Sequence, residues 1–176
     1  MRFMVLPAAI ILCARFAGAQ NAAPTNPCLK DPHYAEFDFW LGTWDVRPRT
    51  KPTNPPSRNE ITKVHDGCVV LESYSAPGYT GQSFNIYDRT RGQWNQTWVD
   101  KMGGLHVYWG GIKDGNMHYE GEMPDPKNPT QRLRTRLTFF KIGADTVRQF
   151  SESTRDAGKT WTVNYDLIYT RVSVAR

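Results

Sequence analysis

SFNIYDRTRGQWNQTWVDKMGGLHVYWGGIKDGNMHYE, residues 83–120, decides the fold of this chain. Short runs in which aromatic and β-branched side chains alternate with polar ones are interrupted by Arg89-Thr90-Arg91-Gly92, Lys101-Met102-Gly103-Gly104 and Asp114-Gly115. Alternation with period two marks a half-buried strand, and Asp-Gly between two such runs is a strong hairpin signal. The stretch predicts four antiparallel strands joined by tight turns.

Directly paired residues share a face, so turn lengths set the register. The first turn pairs Asp88 with Gln93, and hence Tyr87 with Trp94, Asn85 with Gln96 and Ser83 with Trp98. The second, counted as four residues, pairs Asp100 with Leu105, which sets Trp98 opposite Val107 and Gln96 opposite Trp109. Asp114-Gly115 pairs Ile112 with Met117, Gly111 with His118 and Trp109 with Glu120. One face then collects Ser83, Asn85, Tyr87, Trp94, Gln96, Trp98, Val107, Trp109, His118 and Glu120, and the other Phe84, Ile86, Asn95, Thr97, Val99, His106, Tyr108 and Met117. Aromatic, with a few amides and one carboxylate, the first face suits a cavity for a small molecule.

The same pattern extends in both directions. Strands are expected near 43–49, 59–65, 67–74, 82–88, 93–100, 105–112, 116–123, 132–142, 146–153 and 161–172. Their spacing of about ten residues with turn signals between is the all-β signature. Ten short strands favour an antiparallel up-and-down barrel, which removes exposed edges by closing. Before them, Asp31-Pro32 starts a short helix over 32–41, with Phe37, Trp40 and Leu41 on one face. A hairpin at Gly143-Ala144-Asp145-Thr146 pairs Ile142 with Val147, Phe140 with Gln149, Thr138 with Ser151 and Arg136 with Ser153. Arg132, Arg134 and Arg136 alternate along one strand, either as a solvated stripe or with Arg136 reaching the cavity to pair Glu120 or an anionic ligand.

The first residues carry an export pattern: Arg2, the apolar run Phe3–Leu12, then Ala17-Gly18-Ala19 as a cleavage site. Residues 1–19 read as a signal peptide, 20–30 as a flexible arm and 31–176 as one barrel domain, in a secreted or periplasmic protein. Removing Arg2 and Arg15 lowers the net charge from +5 to +3. Removing Cys13 leaves Cys28 and Cys68, an even pair that suggests a disulfide worth roughly 3–4 kcal/mol for a loop this long; a catalytic Cys68 is the alternative. A mean hydropathy of −0.59 and the lack of a long apolar run after the N-terminus exclude a multi-span membrane protein. Dispersed basic residues and so small a net charge speak against nucleic acid as a partner.

Three sets of residues carry resemblances. Thr154-Arg155-Asp156-Ala157-Gly158-Lys159-Thr160-Trp161 matches the Asp-box pattern, in which the Asp and Thr brace a hairpin turn and the Trp packs beneath it; Asp156 and Trp161 take those places. Phe37-Asp38-Phe39-Trp40-Leu41-Gly42-Thr43-Trp44 resembles the opening of lipocalin-like (calycin) barrels, where the Trp lies at the closed end beneath an Arg of the last strand. Trp44 and Arg171 match those positions. The segments FDFWLGTWDV, GCVVLESY, SFNIYD, QWNQTWVD and TVRQFSES, with the Asp-box, resemble a family of exported bacterial lipocalin-like proteins of unassigned activity. Nitrobindin-like haem barrels are more distantly similar; they ligate iron through a His near the C-terminus, and no His follows His118 here. No cofactor is expected, and haem least of all.

The chain has four His, none in a metal-ligand spacing, and no C-x-x-C, nucleophile elbow or phosphate-binding loop. The expected function is binding of a small aromatic or partly apolar ligand. Trp94, Trp98 and Trp109 would form walls, Asn85, Tyr87 and Gln96 would donate and accept hydrogen bonds, and Glu120 with Arg136 would set charge preference. An enzyme using the same cavity is the alternative, with Glu120 or Asp100 as base and His118 or Tyr87 as partner. A structural envelope protein with a filled interior is the third reading.

Overall fold

A computed structural model describes residues 26–173. The signal-peptide reading of 1–19 and most of the arm read over 20–30 lie outside the described residues. Ten strands follow one another around a closed, wholly antiparallel barrel: β1 (Gly42–Pro48), β2 (Ser57–Val64), β3 (Val69–Ala76), β4 (Tyr79–Asp88), β5 (Gln93–Asp100), β6 (Leu105–Lys113), β7 (Asn116–Asp125), β8 (Asn128–Lys141), β9 (Thr146–Thr154) and β10 (Thr162–Arg171). β1 pairs with β10, Trp44 opposite Arg171, so no strand is left as an edge.

One end of the barrel is plugged. In place of a continuous helix over 32–41, the chain makes two 3-10 turns, Pro32–Ala35 and Asp38–Trp40. A threefold winding puts Phe37 and Trp40 on one side. Both side chains are fully buried, with Phe37 5.1 Å and Trp40 4.6 Å from the Phe139 ring. Trp44 donates its indole N–H to the Trp40 carbonyl at 2.8 Å. Arg171 lies over the Trp44 ring at 4.1 Å and donates to the Leu41 carbonyl at 2.7 Å. Gly42 permits this contact, since a Cβ there would overlap the guanidinium.

The plug is fastened by covalent chemistry. Cys28, in a 3-10 turn spanning Pro27–Leu29, is disulfide-bonded to Cys68 in the β2–β3 turn, with Cα atoms 5.0 Å apart. Asn26 donates from Nδ2 to the Asp66 carbonyl at 2.8 Å beside it. The disulfide is consistent with an extracellular or periplasmic protein. Among the described residues no helix is long and apolar enough to cross a membrane.

Two turns differ from the expected register by one residue. At the β5–β6 turn the last pair is Val99 with Leu105, so Trp98 faces His106 and Gln96 faces Tyr108. Asp100, still paired with Gly81 of β4, is absent from the β5–β6 ladder: its Oδ1 accepts from the Met102 and Gly104 N–H groups at 2.8 and 3.0 Å. At the β8–β9 turn the last pair is Lys141 with Val147, because the Thr146 carbonyl accepts from both Ile142 and Gly143. Arg136 therefore faces Glu152, and Phe139 faces Gln149. The β4–β5 and β6–β7 pairings agree with the expected ones.

A slip of one residue exchanges the two faces of a strand. His106, Tyr108, Met117 and Tyr119 thus point into the barrel, and Val107, Trp109, His118 and Glu120 point out. Leu133, Thr135, Leu137 and Phe139 of β8 are buried at every second position, so Arg134 and Arg136 between them also face outward; Thr138, on the arginines' side, is buried too.

Candidate functional site

The end opposite the plug holds a cavity of about 420 Å³ inside the barrel. Its wall residues include Glu72, Tyr74, Tyr79, Gln96, Trp98, His106, Tyr108, Met123, Gln149, Ser151, Asn164 and Tyr165. None is Lys or Arg.

Its polar side is a connected hydrogen-bond network. Glu72 of β3 accepts from Asn59 Nδ2 at 2.7 Å and from Ser83 Oγ at 2.6 Å. Asn85 donates to Ser83 Oγ at 2.9 Å and accepts from Gln96 Nε2 at 2.9 Å. Tyr169 donates to Gln149 Oε1 at 2.6 Å. Asn59 Oδ1 and His106 Nδ1 are buried without a protein partner. Burial pushes the Glu72 carboxyl up to about 7, against the lowering effect of the Ser83 and Asn59 donors. Burial likewise lowers the His106 pKa, which keeps that imidazole neutral near pH 7.

The mouth is aromatic. Tyr74, Tyr79 and Trp98 lie with ring centroids 6.2–6.5 Å apart. Asp100 sets two of these rings, accepting from the Tyr79 hydroxyl at 2.9 Å and the Trp98 indole N–H at 3.2 Å. Burial disfavours the Asp100 carboxylate, but its donors, led by the Gly104 N–H, outweigh that and hold its pKa below the ordinary value. Gly81 supplies the space: a Cβ there would overlap the Trp98 ring.

The expected binding residues divide three ways. Gln96 and Trp98 line the cavity, and Asn85 sits behind Gln96 in the network. Tyr87 and Trp94 face inward near the plug, Tyr87 stacked on His33 at 4.5 Å and Trp94 donating to Glu36 at 2.9 Å. Trp109, His118, Glu120 and Arg136 are on the outer wall. There Arg91 covers the Trp109 ring at 4.2 Å, Arg134 pairs with Glu120 at 2.8 Å, and Arg136 pairs with Glu152 at 3.0 Å. His118 Nδ1 lies 3.3 Å from Thr138 Oγ1. Glu120 and Arg136 are register partners, yet they do so outside the barrel and cannot set the charge of its interior.

The Asp-box closes the β9–β10 turn at the cavity end. Asp156 accepts from the Thr160 hydroxyl and N–H at 2.6 and 2.8 Å and from Thr154 Oγ1 at 2.8 Å, and its pKa is lowered to about 2 by these bonds, Thr160 first. Trp161 lies outside, 3.8 Å beneath the Arg136 guanidinium. Arg155 pairs with Asp125, which joins this turn to the β7–β8 turn.

No protein-family model and no curated protein matches the chain. The site must be read from its own chemistry. Among the described residues no three His, Cys, Asp or Glu side chains converge on a metal position.

Glu72 was not among the residues expected to form the site. The signal was the Pro77-Gly78 turn: it pairs Ala76 with Tyr79, and counting back from it puts Glu72 opposite Ser83.

Proposed function

We propose that this protein is an exported, lipocalin-like barrel that holds a small, partly apolar molecule in its interior. The observation that carries this reading is the cavity of about 420 Å³, with aromatic rings at its mouth and a buried carboxyl among amides at its side. Sites for small molecules have this composition: apolar walls for contact area and a few placed polar groups for orientation. Trp98, Tyr79 and Tyr74 supply the walls, and Gln96, Glu72 and Gln149 the polar contacts. The export reading draws on Arg2, the apolar run and Ala17-Gly18-Ala19, together with the disulfide.

The test is a native mass spectrum of the exported protein beside its denatured spectrum and beside a Trp98→Ala/Gln96→Ala variant. A mass excess lost on denaturation and missing from a folded variant supports the reading. An equal excess in the variant moves the ligand elsewhere.

A second reading is catalysis in the same cavity, favoured by Glu72 alone. A carboxyl with a pKa of about 7 suits proton transfer near neutral pH. Turnover of any bound molecule that Glu72→Gln abolishes while binding persists would select this reading.

A further inference from the structure

We propose that the cavity's ligand is an organic cation, its ammonium group held at Glu72 and its apolar body against Tyr74, Tyr79 and Trp98. This inference rests on the binding function proposed above and assigns the chemical class of the ligand.

Charge is distributed against the trend of the chain. Basic residues outnumber acidic ones, 22 to 17, yet the cavity wall carries a carboxyl and no Lys or Arg. The arginines of β8 and β9 are turned outward, where Arg134, Arg136 and Arg148 pair with Glu120, Glu152 and Asp166. His106, the remaining basic group of the wall, is held neutral by burial. An anionic ligand would meet Glu72 inside and Asp100 at the mouth, with no Lys or Arg among the described wall residues to answer it; Arg132, the cation that acts on His106, is paired with Glu122.

Glu72, on the cavity wall, keeps acceptor positions that its protein donors do not fill. An ionised carboxylate has about four acceptor positions. Asn59 and Ser83 occupy two of those on Glu72. Behind Glu72, off the cavity wall, Asn59 Oδ1 is a buried acceptor with no partner among the described residues; on the wall itself His106 Nδ1 is also unpartnered and accepts or donates according to its tautomer. An ammonium brings donors only, and its charge restores what Glu72 loses on leaving water.

The mouth adds attraction of the same sign. Ring faces of Trp and Tyr attract cations. Tyr79 and Trp98 both donate to Asp100, which fixes the rings and places a negative charge behind them.

Three probes of one size and different charge test this: 2-phenylethylamine, 2-phenylethanol and phenylacetate. Each is titrated into the full protein at about pH 8 and followed by tryptophan fluorescence. The amine is expected to bind at least about tenfold more tightly than the other two, and Glu72→Gln to bring it down to the level of the alcohol. The ranking on the unaltered protein stands as a test even if that variant does not fold. Equal or tighter binding of the alcohol or the acid overturns the cation assignment and leaves the binding function intact. No saturable response to any of the three overturns both.

Discussion

Ser83 donates its hydroxyl proton to Glu72 Oε2 at 2.6 Å across the register pair that joins β3 to β4. The next partner of Ser83 is Trp98, and the next of Trp98 is His106. One row across β3 to β6 thus carries the buried carboxyl, its donor, the aromatic wall and a neutral imidazole. The rest of the interior, toward the plug, is filled by Phe37, Trp40, Trp94, Tyr119 and Phe139. Aromatic content alone does not make a cavity; the plug uses most of it.

Stability should fall as pH rises toward neutrality because of Glu72. Its folded pKa of about 7 lies above the ordinary 4.5, so the folded state binds the proton more tightly than the unfolded chain. The contribution is whole below about pH 4.5 and is lost by about pH 7, roughly 3 kcal/mol across the window. Other groups titrate too: Asp100, Asp156 and Asp166 have lowered values and act in the opposite sense at acid pH. Urea denaturation of wild type and Glu72→Gln in parallel isolates the difference. The variant should gain on the wild type between pH 5 and 8, and a constant difference would remove Glu72 as the cause.

Gly81→Ala should unseat Trp98. A Cβ there meets the indole ring, whereas one at Gly111 meets nothing within 4 Å. The expected cost at Gly81 is about 1–3 kcal/mol, with weaker ligand binding, against within about 0.5 kcal/mol for Gly111→Ala. Thermal denaturation of the two variants gives the comparison, and equal costs would mean that Trp98 has room to move.

Arg171→Met should destabilise the plug by about 2 kcal/mol, through the lost contact with Trp44 and the lost bond to the Leu41 carbonyl. Arg171→Lys should restore little, since a point charge cannot both stack on the ring and reach the carbonyl. Full recovery with Lys would show that charge alone is what matters there.

Replacing Cys28 and Cys68 by Ser should cost roughly 3–4 kcal/mol, because the bridge closes a loop with a sequence separation of 40. The loss should appear in the denaturation midpoint with the cavity's binding retained, as the bridge lies at the plug.

Strand order was legible because the turns announce themselves: Asp114-Gly115 and Arg89–Gly92 each set their hairpins in the register found. The inward face was legible only as far as Trp98. Asp100 ends β5 and pairs with Gly81 of β4, but its carboxylate captures the turn's own N–H groups, and it takes no place in the β5–β6 pairing. Everything counted from that turn onward changed sides, which is how Tyr108 and Tyr119 replaced Trp109 and Glu120 in the interior. Glu72 escaped notice for a different reason. The register counted from the Arg89–Gly92 turn runs forward from Ser83 and does not reach β3, and a carboxylate is assigned to the surface by its polarity. The Asp-box was legible from its local spacing, and Trp44 with Arg171 from the resemblance to lipocalin-like barrels; neither needed a register count.

The most direct measurement is the indole N–H region of a ¹H–¹⁵N spectrum, recorded while 2-phenylethylamine is added. The six tryptophans sample the plug (Trp40, Trp44, Trp94), the outer wall (Trp109, Trp161) and the cavity (Trp98). The signal of Trp98 should move and saturate while the other indoles stay in place. Movement of Trp109 or Trp161 with Trp98 unchanged would contradict an interior site and put the ligand on the outer face.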